Sequence, residues 1–214
     1  IKYTNSVLNT MEGYICNSRP RRFGKSYAAN MLAAYYSKGA ESEQMFTGFE
    51  ISKDPEFKKH LNKYDVIHID VQWFLANCKD VNNVVQFISN SVLDELRDIY
   101  SSILPENVSF LSDGLSQIRE KTGQKFIIII DEWDVLIRDE AMNKKVQDEY
   151  LNFLRGLFKG TEPTKYIQLA YLTGILPFRK DRSQSAVNNL KHYSMLSAGP
   201  LAPYIGFTED EVKS

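Results

Sequence analysis

The sequence predicts an α/β fold, a mostly parallel sheet held between two layers of helices, and three observations predict it. Strand-like and helix-like segments alternate along most of the 214 residues. Phe126-Ile127-Ile128-Ile129-Ile130 is an unbroken apolar run, the pattern of a strand buried on both faces and so of a central strand in a parallel sheet. Finally, Tyr14-Ile15-Cys16, a loop closing on Gly24-Lys25-Ser26 and a helically spaced segment from Tyr27 to Tyr36 follow one another, which is the layout of a phosphate-binding loop between strand and helix.

Taken in order, residues 1–13 have no clean period and lead into the first strand at Tyr14. The helix after Gly24 places Ala28, Met31, Leu32 and Tyr35 on one face, so it packs on a sheet, and Gly39 stops it. The polar stretch 40–64 holds one short helix, Pro55 to Leu61, capped by Asp54. Val66 to Val71 reads as a second strand. Within it His68 is expected to be packed or hydrogen-bonded, and Asp70 falls at the carboxyl end, the active edge of a parallel sheet, where it could assist a metal-bound water. Val81 to Ile103 is a long amphipathic helix with Val84, Val85, Ile88, Val92, Leu96 and Ile99 as its stripe, ended by Pro105. A helix from Phe110 to Lys121 closes at Gly123, and another from Val146 to Phe158 ends at Gly160. Ile167 to Leu172 is a further strand, with Thr173-Gly174 at its tip. Residues 177–198 are polar, and Leu201 to Phe207 reads as a last short strand, followed by a capping box of Thr208 and Glu211.

The composition, 43% hydrophobic and 25% charged, is that of a soluble globular protein, and the length suits one domain with a full core. A net charge of −1 gives no bulk attraction to nucleic acid or a membrane surface. The one dense basic cluster is Arg19, Arg21, Arg22 and Lys25, inside the phosphate-type loop. Cys16 and Cys78 are the only cysteines, each beside apolar residues, and are expected as buried reduced thiols. No apolar run approaches the roughly 18 residues that span a bilayer, and no secretory leader is visible, so the expected compartment is the cytoplasm. The chain opens at Ile1 and closes in what reads as an early helical turn, so it is taken as a piece of a longer protein: a core over 1–207 and the start of a further helix over 208–214.

The chemistry concentrates at two places. At the loop, free backbone N–H groups of the first helical turn and the positive end of the helix dipole converge on one point. Lys25 is placed to reach the β- and γ-phosphates and Ser26 to ligate Mg²⁺, with Arg22, Phe23 and Gly24 completing the binding loop. The pattern departs from the usual one at Arg19, where a glycine is expected, and Pro20 restricts the loop further. At the end of the apolar run, Asp131 and Glu132 have the chemistry of a Walker B element: Asp131 holds Mg²⁺ through water, and Glu132 orients or deprotonates the attacking water. The competing reading is an acidic helix cap after a core strand. Thr173 is a candidate sensor of the γ-phosphate or the water, or a hydroxyl that merely caps its strand; Arg179, Lys180 and Arg182 offer an arginine finger or a solvated loop.

Ser18-Arg-Pro-Arg-Arg-Phe-Gly-Lys-Ser26, Ile130-Asp-Glu-Trp-Asp134, Leu172-Thr-Gly-Ile-Leu176, Gln184 to Leu190 and Ile205 to Val212 together resemble the prokaryotic AAA-ATPase-like family, over nearly the whole chain. Members often carry a PD-(D/E)XK nuclease-like domain further downstream. The resemblance implies ATP and Mg²⁺ as ligands, nucleotide binding at Gly24, Lys25 and Ser26, and metal and catalytic acids at Asp131 and Glu132; it makes Arg19 a feature of the family's own loop. It also implies a three-layer P-loop NTPase sandwich of the additional-strand, AAA-like type, with the Ile167 strand between those of Tyr14 and Phe126. A "Val-Asp-Lys" type segment is expected before Ile1, and a helical lid and the nuclease-like domain after Ser214, so nuclease activity is not assigned to this piece. The leading expectation is an ATP-hydrolysing core that drives conformational change in a larger protein. The alternatives are a nucleotide-binding switch that hydrolyses little, and a nucleic-acid-processing module. Expected partners are the nucleotide, further copies of the chain, or the downstream domain; direct nucleic-acid binding is disfavoured by the charge.

Overall fold

A computed structural model of the chain describes residues 1–138, 143–176 and 189–204. Its strands in chain order are β1 (Tyr14–Ser18), β2 (Asp65–Asp70), β3 (Phe126–Asp131), β4 (Ile167–Gly174) and β5 (Lys191–Tyr193). They form one sheet in the order β2-β3-β4-β1-β5, every neighbouring pair parallel. β4 therefore lies between β1 and β3, as the family resemblance implies. β1, β3 and β4 are buried throughout.

Strand alternation divides the apolar side chains between two clusters. Ile127 and Ile129 join Ile15, Leu169 and Tyr171 under α1 (Lys25–Tyr36), whereas Phe126, Ile128 and Ile130 face the opposite layer. That layer is built from α2 (Val71–Asn77), α3 (Val84–Tyr100), α4 (Leu111–Thr122) and α5 (Lys144–Phe158). Helix, sheet and helix are thus the three layers expected.

Several details differ from the sequence reading. The expected second strand stops one residue early, because the Asp70 carboxylate accepts a hydrogen bond from the Trp73 N–H (3.0 Å) and turns Val71 into the first residue of α2. A short helix, Lys2–Ser6, precedes β1 and docks on α1 through the Thr4 and Tyr36 hydroxyls, 2.8 Å apart. The buried face of α1 is centred on Ala29, Leu32, Tyr35 and Tyr36, one position round from the expected Ala28 and Met31. In α3, Val84, Ile88, Val92, Leu93 and Leu96 are buried, but Ile99 is 69% exposed, and the end of the helix is held instead by Tyr100, whose hydroxyl donates to Asp65 of β2 (3.2 Å). The Pro55–Leu61 helix shrinks to one turn, Phe57–His60. Cys16 is buried as expected; Cys78 is not, for it sits in the loop after α2 with its thiol on the Asp80 carbonyl.

The last strand needs the largest correction. It is Lys191–Tyr193, and Leu201 instead closes a 3₁₀ turn, Gly199–Leu201. Pro200 and Pro203 explain this, since neither can donate to a ladder and both fix φ. The 205–207 part of the expected strand and the helix start over 208–214 lie outside the described residues.

Candidate functional site

The candidate site forms where the carboxyl ends of β1 and β3 face each other across the start of α1. The ladder continues one residue past β1, with the Arg19 N–H donating to the Gly174 carbonyl (3.0 Å), before the chain turns away through Pro20 to Phe23. Two residues then take left-handed backbone angles, Arg22 (φ 68°) and Gly24 (φ 70°). A Cβ on Gly24 would meet nothing within 4 Å, so it is the backbone angle and not crowding that favours glycine there. Gly24 caps α1, and its carbonyl accepts the Ala28 N–H (2.9 Å), so the loop ends at a helix N-terminus, where the first N–H groups have no carbonyl of the helix to donate to. The Lys25 side chain is buried; its Nζ donates to the Pro20 carbonyl (3.0 Å) and stands 4.0 Å from Glu132 Oε1.

The opposite wall comes from the end of β3. Asp131 is 4% exposed; its Oδ1 accepts a hydrogen bond from the Thr173 hydroxyl and another from the Glu132 N–H (3.1 Å). Glu132 has φ 51°, a left-handed angle that a non-glycine residue holds at a cost of order 1–3 kcal/mol and that clusters at functional sites. Its carboxylate lies between two cations, Lys25 on one side and Arg138 Nη1 at 3.4 Å on the other. The turn is tied to the tip of β4. The Trp133 N–H donates to the Thr173 carbonyl (2.9 Å), and fully buried Asp134 accepts from the N–H groups of Ile175 (3.0 Å) and Leu176 (2.7 Å) on one carboxylate oxygen. A Cβ on Gly174 would fall 2.5 Å from Trp133 Nε1 and 2.8 Å from Asp134 Oδ1, so only glycine lets the two segments approach this closely.

Between the walls is an open cleft of about 520 Å³, lined on the loop side by Arg21, Arg22, Gly24, Lys25 and Ser26 and on the other by Asp70, Asp131, Glu132 and Arg138. Most residues singled out from the sequence therefore converge here. Two sit differently. Phe23 is half-buried and not part of the cleft wall, and Thr173 is fully buried behind Asp131, its hydroxyl directed at that carboxylate. Arg179, Lys180 and Arg182 lie outside the described residues. The sequence reading gave no role to Asp134 or to Arg138, although their spacing of four on a helical turn is a visible ion-pair signal; Arg138 Nη1 is 3.6 Å from Asp134 Oδ2.

Ser26 and Asp131 present a hydroxyl and a carboxylate to one cleft, a hard-oxygen donor pair that suits a Mg²⁺ ion completing its shell with water and phosphate oxygens. Among the described residues there is no cluster of three or more His, Cys, Asp or Glu that would form an all-protein metal cage. No helix there is long and apolar enough to cross a membrane.

Comparison with known proteins bears on this arrangement. A family profile described as Predicted AAA-ATPase (AAA-ATPase-like) matches residues 2–183. A protein of Azotobacter chroococcum mcd 1, described as an uncharacterized protein in the vnfD 5′ region, is 24% identical over 197 residues, 91% of this chain. This chain spans 36% of that relative's length. Among solved structures, EssC (ATPases 2 and 3) from Geobacillus thermodenitrificans aligns over 94% of this chain and 36% of its own, at 13% identity and a TM-score of 0.32.

Proposed function

Since the chain belongs to the AAA-ATPase-like family, we propose that it binds Mg²⁺–ATP on the Gly24-Lys25-Ser26 loop and hydrolyses it with Glu132, as the ATPase core of a larger protein whose conformation it drives. One observation carries this reading: Lys25 and Glu132, far apart in sequence, face each other at 4.0 Å across a single cleft at a helix N-terminus. The helix dipole and the N–H groups of the first helical turn attract phosphate oxygens, and Lys25 exchanges the Pro20 carbonyl for a phosphate. Ser26 and Asp131 hold Mg²⁺, which when bound neutralises charge on the phosphates. Thr173 acts through Asp131 by fixing its carboxylate. Glu132, set at the mouth of the cleft by its left-handed backbone, orients the attacking water and takes its proton. Nucleotide is the proposed partner of this region; further copies of the chain, or a downstream domain of the longer protein, are proposed to receive the conformational change.

A second reading, a switch that binds nucleotide but turns it over little, draws on the pairing of Glu132 with Arg138 (3.4 Å) as well as Lys25. In that reading the two cations occupy the carboxylate oxygens that would otherwise accept the hydrogen bond and proton of the water.

Lys25→Ala tests the site. It removes the cation that follows the terminal phosphates, a charge-assisted contact worth about 1.5–3 kcal/mol. Calorimetry with Mg²⁺–ATP should show affinity lowered at least about tenfold, the equivalent of about 1.4 kcal/mol. Unchanged affinity in a folded variant would remove the loop from consideration.

A further inference from the structure

Arg19 stands where phosphate-binding loops ordinarily carry glycine, and its side chain is among the most buried in the protein, at 2% exposure. Alternation along β1 sets it on the same face as Ile15 and Asn17, the face covered by α1. It belongs to the loop itself, for the carbonyl on which Lys25 Nζ rests is that of the next residue, Pro20.

Among the described residues, the polar groups that bond beside the guanidinium are neutral ones. Nη1 donates to the Ser18 carbonyl (3.0 Å), while Nη2 is buried with no hydrogen-bond partner. The Asn17 amide donates to the Tyr171 hydroxyl (3.2 Å), and its own carbonyl oxygen is likewise buried and unpartnered. Burial, and then the Arg19 charge, lower the pKa of His192. Among the described residues no Asp or Glu forms an ion pair with Arg19. Burial lowers the guanidinium pKa, yet an arginine stays protonated in proteins. Among the described residues this positive charge is therefore enclosed without a counter-charge, an arrangement that disfavours the ligand-free fold.

We propose that Arg19 is a built-in counter-charge for bound polyphosphate, a buried cation whose compensating anion is the nucleotide itself. The proposal rests on the nucleotide reading of this loop and deepens it. Phosphates gathered at the start of α1 place negative charge against the loop, and in a low-dielectric setting that charge acts on Arg19 even without direct contact. The residue thus exchanges stability of the ligand-free protein for phosphate affinity.

The test replaces the charge with an apolar side chain of similar length, Arg19→Met, and follows melting temperature and calorimetric affinity for Mg²⁺–ATP and for inorganic pyrophosphate. The ligand-free variant is expected to melt higher than the parent, its affinity for both ligands to fall about tenfold, and its ligand-induced melting shift to shrink. Arg19→Lys keeps a charge and should retain most of the parental affinity together with the low ligand-free melting temperature. A Met variant that melts lower or does not fold, or one that binds both ligands like the parent, overturns the proposal. Lys25→Ala run alongside separates the two ideas. If it loses affinity while Arg19→Met does not, only the role of Arg19 falls; if the parent binds neither ligand, the nucleotide reading falls and the Arg19 proposal with it.

Discussion

Glu132→Gln is expected to bind Mg²⁺–ATP with the parental affinity and to turn it over at least about 100-fold more slowly, the lower end of what a positioned general base contributes. The substitution keeps length, planarity and one acceptor oxygen, so nothing on the loop wall moves: Lys25 retains its Pro20 carbonyl, and Asp131 retains the Thr173 hydroxyl. What disappears is the carboxylate at the mouth of the cleft, 4.0 Å from Lys25 and 3.4 Å from Arg138. Single-turnover hydrolysis, measured with calorimetry on the same sample, separates binding from chemistry. Retained affinity with lost turnover supports the ATPase. Parental turnover in the variant would mean that Glu132 is not the base. A parent protein that binds but hardly hydrolyses would favour the switch, with the Arg138 pairing as its physical basis.

Why the loop and the two acids were legible from sequence, and other parts of the site were not, comes down to the range of the interactions. Gly24-Lys25-Ser26 between a strand and a helix, and Asp131-Glu132 after five apolar residues, are local patterns whose chemistry is set by neighbours in the chain. The ties from Asp134 to Ile175 and Leu176, and the close approach that Gly174 permits, exist only once β3 and β4 pair. The same holds for Arg19, which reads as a basic loop residue and is in fact buried. Among the strands, β3 and β4 were visible because a strand covered on both faces needs continuous apolar sequence. The order of strands was not readable from periodicity and came only from the family resemblance. β5 was missed because Lys191-His192-Tyr193 lies at the sheet edge, exposed to half-buried, and carries no apolar signature. The apolar letters of Leu201 to Phe207 were misleading because Pro200 and Pro203 rule out a regular ladder there. α2 follows β2 with no turn residues between them, and its one sign was Asp70, which acts as a cap.

Asp134→Ala is expected to produce the largest loss of stability among single changes around the cleft. Asp134 is fully buried, and one of its oxygens accepts from two backbone N–H groups, at 3.0 Å and 2.7 Å, just past β4. Alanine leaves both donors without that partner in a place where its small side chain fills nothing. A buried donor stripped of its acceptor costs about 1–3 kcal/mol, so the variant should lose roughly 2–4 kcal/mol once the tip of β4 relaxes. For a domain of this size that is a melting-temperature decrease of about 4–15 °C. Asp134→Asn keeps an acceptor for both N–H groups and gives up only the charge that faces Arg138 at 3.6 Å, so it should recover most of the loss. The two variants therefore separate the hydrogen bonds from the ion pair. Turnover, assayed well below the lowered melting temperature, should fall in Asp134→Ala while Mg²⁺–ATP affinity holds. The loop wall does not depend on Asp134, whereas the Thr173–Asp131 pair and Glu132 belong to the turn that it fastens to β4. An alanine variant that melts with the parent would show that the two N–H groups find other partners, and that Asp134 does not hold the acid turn in place.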